Sequence, residues 1–104
     1  MNKEKAFNEV KGLLTKNGIE FTVSKSDDGD AITAKAGKVI QWFTFSDTSI
    51  AVISSVIACN YDEIVTSHIN MWYEDVREFS FIGGELWLWI KEFGFVVIAF
   101  EPNI

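Results

Sequence analysis

The chain contains a single cysteine, Cys59, a single histidine, His68, and a single proline, Pro102. One cysteine excludes an intramolecular disulfide, and one histidine beside it cannot supply the ligand spacings of zinc-finger-type metal sites. No stretch approaches the roughly 18 to 20 uninterrupted apolar residues that span a bilayer. The most apolar stretch, Leu86 to Phe100, is broken by Lys91 and Glu92. The opening Met-Asn-Lys-Glu-Lys-Ala-Phe mixes both signs of charge and lacks the apolar run of a signal peptide. These absences lead to the expectation of a cytoplasmic protein with no bound metal or cofactor and no membrane partner.

Positive charge is scarce and unevenly placed. The formal net charge is −6. Residues 1–40 are near balance, with seven lysines against Glu4, Glu9, Glu20, Asp27, Asp28 and Asp30. Beyond residue 40, only Arg77 and Lys91 oppose nine acids. A protein that binds nucleic acid directly carries a basic stripe, and here the bias is reversed. An acidic portion of this kind keeps a hydrophobic domain soluble, or it forms a face for a basic partner.

What the chain does have is apolar content. Hydrophobic residues make up 48% of its 104 residues, enough to build a core rather than stay disordered. With no linker-like tract and no internal repeat, a single domain over 1–104 is expected. Lys3 to Lys16 has helical periodicity: Phe7, Val10 and Leu14 share a face, with Ala6 and Leu13 beside them. Asn2 suits the N-cap, and Asn17-Gly18 suits a left-handed stop. From Ile19 the period becomes two. Four strands are expected, over Ile19 to Ser24, Ala31 to Ala36, Val39 to Phe45 and Ile50 to Cys59. Turn residues separate them.

Asp62 to Asp75 is read as a second helix, because Ile64, Val65, His68, Ile69, Trp72 and Val76 follow helical spacing. Thr66, Ser67 and Asn70 favour the alternative, a strand using Val65, Ile69, Met71 and Tyr73. Gly83-Gly84 signals a hairpin between Glu78 to Ile82 and Glu85 to Ile90, and Phe95 to Phe100 supplies a last strand. The last two strands are apolar on both faces: Leu86, Leu88 and Ile90 alternate with Trp87 and Trp89. Strands of this kind are expected to be central and covered on both sides. Because the chain offers little to cover the second side, a partner is expected there, most simply a second copy, giving a homodimer.

No catalytic motif emerges. Ser67, His68 and Asp75 lack a nucleophile elbow, so His68 reads as structural. Asp27, Asp28 and Asp30 lack the EF-hand spacing and its closing Glu, and read as a solvated turn. Glu74, Asp75 and Glu78 form a local acidic cluster around Arg77, suited to a solvated helix end or to acid–base work in a pocket. Gly83-Gly84 is not followed by the Lys-Ser/Thr of a phosphate loop. Cys59 reads as a buried small hydrophobe. Of the four tryptophans, Trp42 and Trp87 are expected in the core, while Trp72 and Trp89 suit either the core or a binding surface.

The segment Ile69-Asn70-Met71-Trp72-Tyr73-Glu74-Asp75-Val76-Arg77-Glu78-Phe79-Ser80-Phe81, followed by Gly83-Gly84-Glu85-Leu86-Trp87-Leu88, resembles a pattern in the YbjN-like and type III secretion chaperone-like α+β family. There an Asn-bearing helix leads into an aromatic-rich strand, a turn and a second strand. Leu14 to Phe21, followed by the acidic turn and Ile32, is similar to that family's opening helix and hairpin. Tyr73 stands where a second Asn would be expected, and Phe95 to Phe100 reads as a strand where the family has a closing helix. The resemblance implies a non-enzymatic, often dimeric protein that binds other polypeptides.

The expected fold class is thus α+β, with an N-terminal helix, an antiparallel β-meander, a second helix and C-terminal antiparallel strands in one sheet. The expected function is protein binding without catalysis, chaperone-like or regulatory. The candidate partner-binding residues are Trp72, Tyr73, Glu74, Asp75, Glu78 and Trp89. One alternative is an acidic inhibitor, such as an immunity protein or phage-encoded antagonist, that blocks a basic or nucleic-acid-binding surface. A third is a small-ligand binder with a pocket near His68, Trp72 and Glu74.

Overall fold

Helix α1 runs over Lys3–Lys16 in the computed structural model, which describes residues 1–57, 64–92 and 94–100. The Asn2 side chain accepts the Lys5 backbone N–H at 2.8 Å, satisfying one of the donors that a helix start leaves free. At the other end the Gly18 N–H donates to the Thr15 carbonyl and the Ile19 N–H to the Leu14 carbonyl. That bond pair is a Schellman stop and turns the chain into the first strand. Ala6, Phe7, Val10 and Leu14 are buried, as the periodicity requires.

Five strands follow as one antiparallel meander: β1 (Glu20–Ser26), β2 (Gly29–Ala36), β3 (Val39–Phe45), β4 (Ser49–Ile57) and β5 (Ile64–Trp72), hydrogen-bonded in chain order. Register fixes what each face carries. Ile32, Phe43, Val52 and Ile69 lie opposite one another across four strands and face inward. One residue along, Thr33, Trp42, Ile53 and His68 form the corresponding outward row. A 3-10 turn, Tyr73–Asp75, then leads into a second, three-stranded antiparallel sheet. It consists of β6 (Val76–Ile82), β7 (Glu85–Ile90) and β8 (Gly94–Ala99). Gly83 and Gly84 join β6 to β7 with φ of 59° and 81°, the two left-handed residues that a tight primed turn demands.

The core lies between these layers. Phe7, Val10 and Leu14 of α1 pack into one cluster with Ile32, Phe43, Phe45, Ile50 and Val52 of the larger sheet. The inward residues of the smaller sheet, Phe79, Leu86, Leu88 and Ile98, complete it with Phe100. Phe7 meets Phe45 edge-on at 5.4 Å, and Phe81 stacks on Phe100 at 6.0 Å. Each large side chain buried this way contributes about 1.5–3 kcal/mol of transfer free energy.

Three expectations need correction. The segment read as a second helix is strand β5 plus the 3-10 turn, so the only α-helix among the described residues is α1. Its β-branched and polar run gains little from helix formation, and its period-two set fits the sheet. Ile69 and Met71 face the core, while His68, Asn70 and Trp72 face solvent. Pairing along nine residues also occupies the β4 edge, which would otherwise be open. Secondly, the strands form two sheets rather than one, because the 3-10 turn breaks the ladder between β5 and β6. Thirdly, among the described residues only β7 of the last two strands is central, β8 lying at the edge of its sheet, and the chain itself packs against their inner face. Asp62, Glu63 and Cys59 lie outside the described residues. Among the described residues no helix is long and apolar enough to cross a membrane.

Candidate functional site

Strand β7 alternates cleanly. Leu86, Leu88 and Ile90 are buried inward, and Trp87 and Trp89 point outward, half-buried. On β8, Val96 and Ile98 point in and Phe95 and Val97 point out. Register sets Trp89 opposite Phe95 and Trp87 opposite Val97, so the outward rings converge. The Trp87 and Phe95 centroids are 4.5 Å apart, and Trp89 lies 5.7 Å from each of them. These are the separations of favourable tilted aromatic pairs. Phe95 is 50% exposed, as is Ile82 at the other end of the face.

Polar groups are sparse within this cluster. The Trp89 indole N–H donates to Ser80 Oγ at 3.3 Å, fixing the ring over β6. The Trp87 indole N–H is buried with no acceptor among the described residues. Acids stand at the margin: Glu78 is the cross-strand neighbour of Trp89, and Glu85 that of Ile82. The arrangement is an apolar aromatic patch with a carboxylate at each end, Glu78 beside Trp89 and Glu85 beside Ile82.

The other sequence-chosen residues do not gather here. Tyr73 is 3% exposed and belongs to the core. Its hydroxyl donates to the Ser46 carbonyl at 2.7 Å, tying the 3-10 turn to the β3–β4 connection. Burial first, then Asp47 and Asp30, push its phenol up to about 12. Trp72 is 56% exposed on the outer face of β5. With Glu74 it lines a cleft of about 390 Å³ shared with Met1, Asn2, Asp47 and Thr48, and His68 is not part of the lining. Asp75 lines a different, apolar depression with Met71, Trp72, Ile90 and Val96. Glu78, at the end of the aromatic face, also lines a groove beside α1, with Leu13 and Lys16. The acidic cluster of the sequence is therefore spread over three surfaces. Of the six candidates only Glu78 and Trp89 belong to the aromatic face. Among the described residues no three His, Cys, Asp or Glu side chains come together to hold a metal ion.

No tryptophan joins the buried core, which corrects the expectation for Trp42 and Trp87. Phenylalanines fill it instead, and Trp42 is outward on the five-stranded sheet. Sequence reasoning missed Phe95 and Ile82 as surface residues. Their signal was the alternation of Phe95, Val97 and Ala99 against Val96, Ile98 and Phe100, which stays ambiguous while both sets are apolar. No family model, curated protein or solved structure matches the chain.

Proposed function

We propose that this chain is a non-catalytic protein-interaction domain whose binding surface is the outer face of the three-stranded sheet. The observation that carries this reading is the Trp87–Trp89–Phe95 cluster, an aromatic patch that the described residues leave partly exposed, beside the half-exposed Ile82. Aromatic residues that converge without covering layers are characteristic of interface hot spots. Glu78 and Glu85 at the margin favour a polypeptide with Lys or Arg beside its apolar residues, since a cation there meets both a carboxylate and an indole face.

Selection from a random peptide library tests the reading. Enrichment of sequences that pair basic with apolar residues is expected, with binding lost in Trp89→Ala and Phe95→Asp while the far-UV circular dichroism is unchanged. Failure to enrich any sequence, or binding indifferent to both substitutions, overturns it. The acidic-inhibitor reading draws on the same two carboxylates. It predicts that charge carries the affinity, so Glu78→Lys with Glu85→Lys and raised salt would each abolish binding, whereas an aromatic-led contact is only weakened.

A further inference from the structure

The outer face of the five-stranded sheet differs from the rest of the surface in its charge. The chain has 15 acidic and 9 basic residues, yet the described outward positions of β1 to β5 include only two charged ones, Glu20 and Lys35. Those two are cross-strand partners at one end of the sheet, so even they offset each other. At the centre lie Trp42 on β3 and Ile53 on β4, directly paired and each 37% exposed. Uncharged hydroxyl and amide side chains and one imidazole surround them: Thr33 opposite Trp42, His68 opposite Ile53, and Thr44 and Asn70 one step along the face. Depletion of charge around aromatic and branched apolar residues is the compositional mark of an interface core.

We infer that this neutral face is where two copies of the chain associate, with Trp42 and Ile53 meeting their counterparts across a two-fold axis. The charge balance selects this occupant. Each copy carries −6, so approach through any acidic surface is repulsive, and the neutral sheet face is where two copies meet without that cost. A basic partner would find its complement elsewhere, at the carboxylates. Size agrees as well. Five strands of seven to nine residues present alternate positions outward, roughly twenty in all, against the roughly 20–30 residues a side of a standard stable interface. Stacking of sheet on sheet, about 10 Å apart, is an ordinary packing mode for such faces. The inference stands independently of the aromatic face, which looks away from the same core and is left open in each copy for a partner.

Sedimentation velocity from low micromolar to submillimolar concentration tests it on the wild type, Thr44→Lys, Ile53→Lys and Phe95→Lys. The wild type is expected to dimerise, and added salt should leave the dimer intact or strengthen it by screening the net charge. Thr44→Lys, at an exposed position next to Trp42, keeps the apolar pair but buries a cation in the contact, and is expected to be monomeric with unchanged circular dichroism. Ile53→Lys should behave alike, and Phe95→Lys should remain dimeric. A wild type that is monomeric throughout, a dimer that Thr44→Lys leaves intact, or one lost in Phe95→Lys overturns the inference. Peptide binding by the aromatic face is unaffected by any of these results except through Phe95, so the two readings fail separately.

Discussion

The side-chain amide of Gln41 on β3 donates to the Ala99 carbonyl on β8 at 2.6 Å, joining the two sheets through a polar bond inside an apolar core. Gln41 is 3% exposed, and its other end is also occupied, because the Ser54 hydroxyl donates to Oε1. A buried amide is tolerated only when both ends are satisfied. Gln41→Ala leaves the Ala99 carbonyl and the Ser54 hydroxyl without that partner and opens a void. A loss of about 2–3 kcal/mol in urea unfolding is expected. Ser54→Ala alone is expected to cost about 1 kcal/mol. The double variant should cost less than the two together, since both remove the same bond.

Tyr73 gives the alkaline behaviour a sign. Its folded pKa, about 12 because of burial and then Asp47 and Asp30, exceeds the ordinary phenol value of 10.0. In that window the unfolded chain loses the proton while the folded one keeps it. The contribution is therefore complete below pH 10 and is lost as pH rises towards 12. Tyr73→Phe removes this slope, and it also costs about 1 kcal/mol at neutral pH through the lost bond to the Ser46 carbonyl. Urea midpoints across the alkaline range check both. A variant that keeps the wild-type slope would mean that other groups cause it.

Much of this architecture was legible where one face of an element is polar. Helix α1 announces itself through Phe7, Val10 and Leu14 against a charged face, and its Asn2 cap and Gly18 stop are local chemistry. The hairpin at Gly83-Gly84 is equally local. Over strand β5, Ile64, Val65, His68 and Ile69 satisfy two periodicities, and only the pairing with β4 chooses between them. The doubly apolar β7 and β8 signalled cover on both sides. Which set of side chains faces inward depends on the shape of the core, where Leu86 and Leu88 fit and Trp87 and Trp89 do not. The acidic residues are adjacent in sequence, yet the 3-10 turn and the following register shift at Val76–Glu78 send them to different surfaces.

Trp87 tests whether an indole N–H without an acceptor among the described residues has a cost. A buried donor without an acceptor costs about 1–3 kcal/mol. Trp87→Phe removes that penalty while giving up part of the ring contact with Phe95 and Trp89. The two effects oppose, so thermal and urea unfolding are expected to move by less than about 1 kcal/mol. Trp87→Ala gives up the whole ring and is expected to cost about 3 kcal/mol. If Trp87→Phe is as damaging as Trp87→Ala, the N–H has an acceptor and the ring is anchored by it.

Two glycines are expected to respond to alanine in opposite directions. Gly29 opens β2 at φ 148°, and a Cβ built there would lie 2.7 Å from the Phe45 carbonyl oxygen. The Cβ position is fixed by the β2 backbone and the oxygen belongs to the β3 backbone, so the clash cannot be relieved by a side-chain rotation. Gly29→Ala should therefore destabilise by about 2 kcal/mol or more, with the distortion local to the Asp27-Asp28 hairpin. Gly12 lies inside α1, where a Cβ would meet nothing within 4 Å. There alanine restricts the unfolded chain without crowding the folded one, and Gly12→Ala should stabilise by about 0.5–1 kcal/mol. Urea unfolding of the two single variants and their combination reads both effects. The sites share no contact, so their contributions should add.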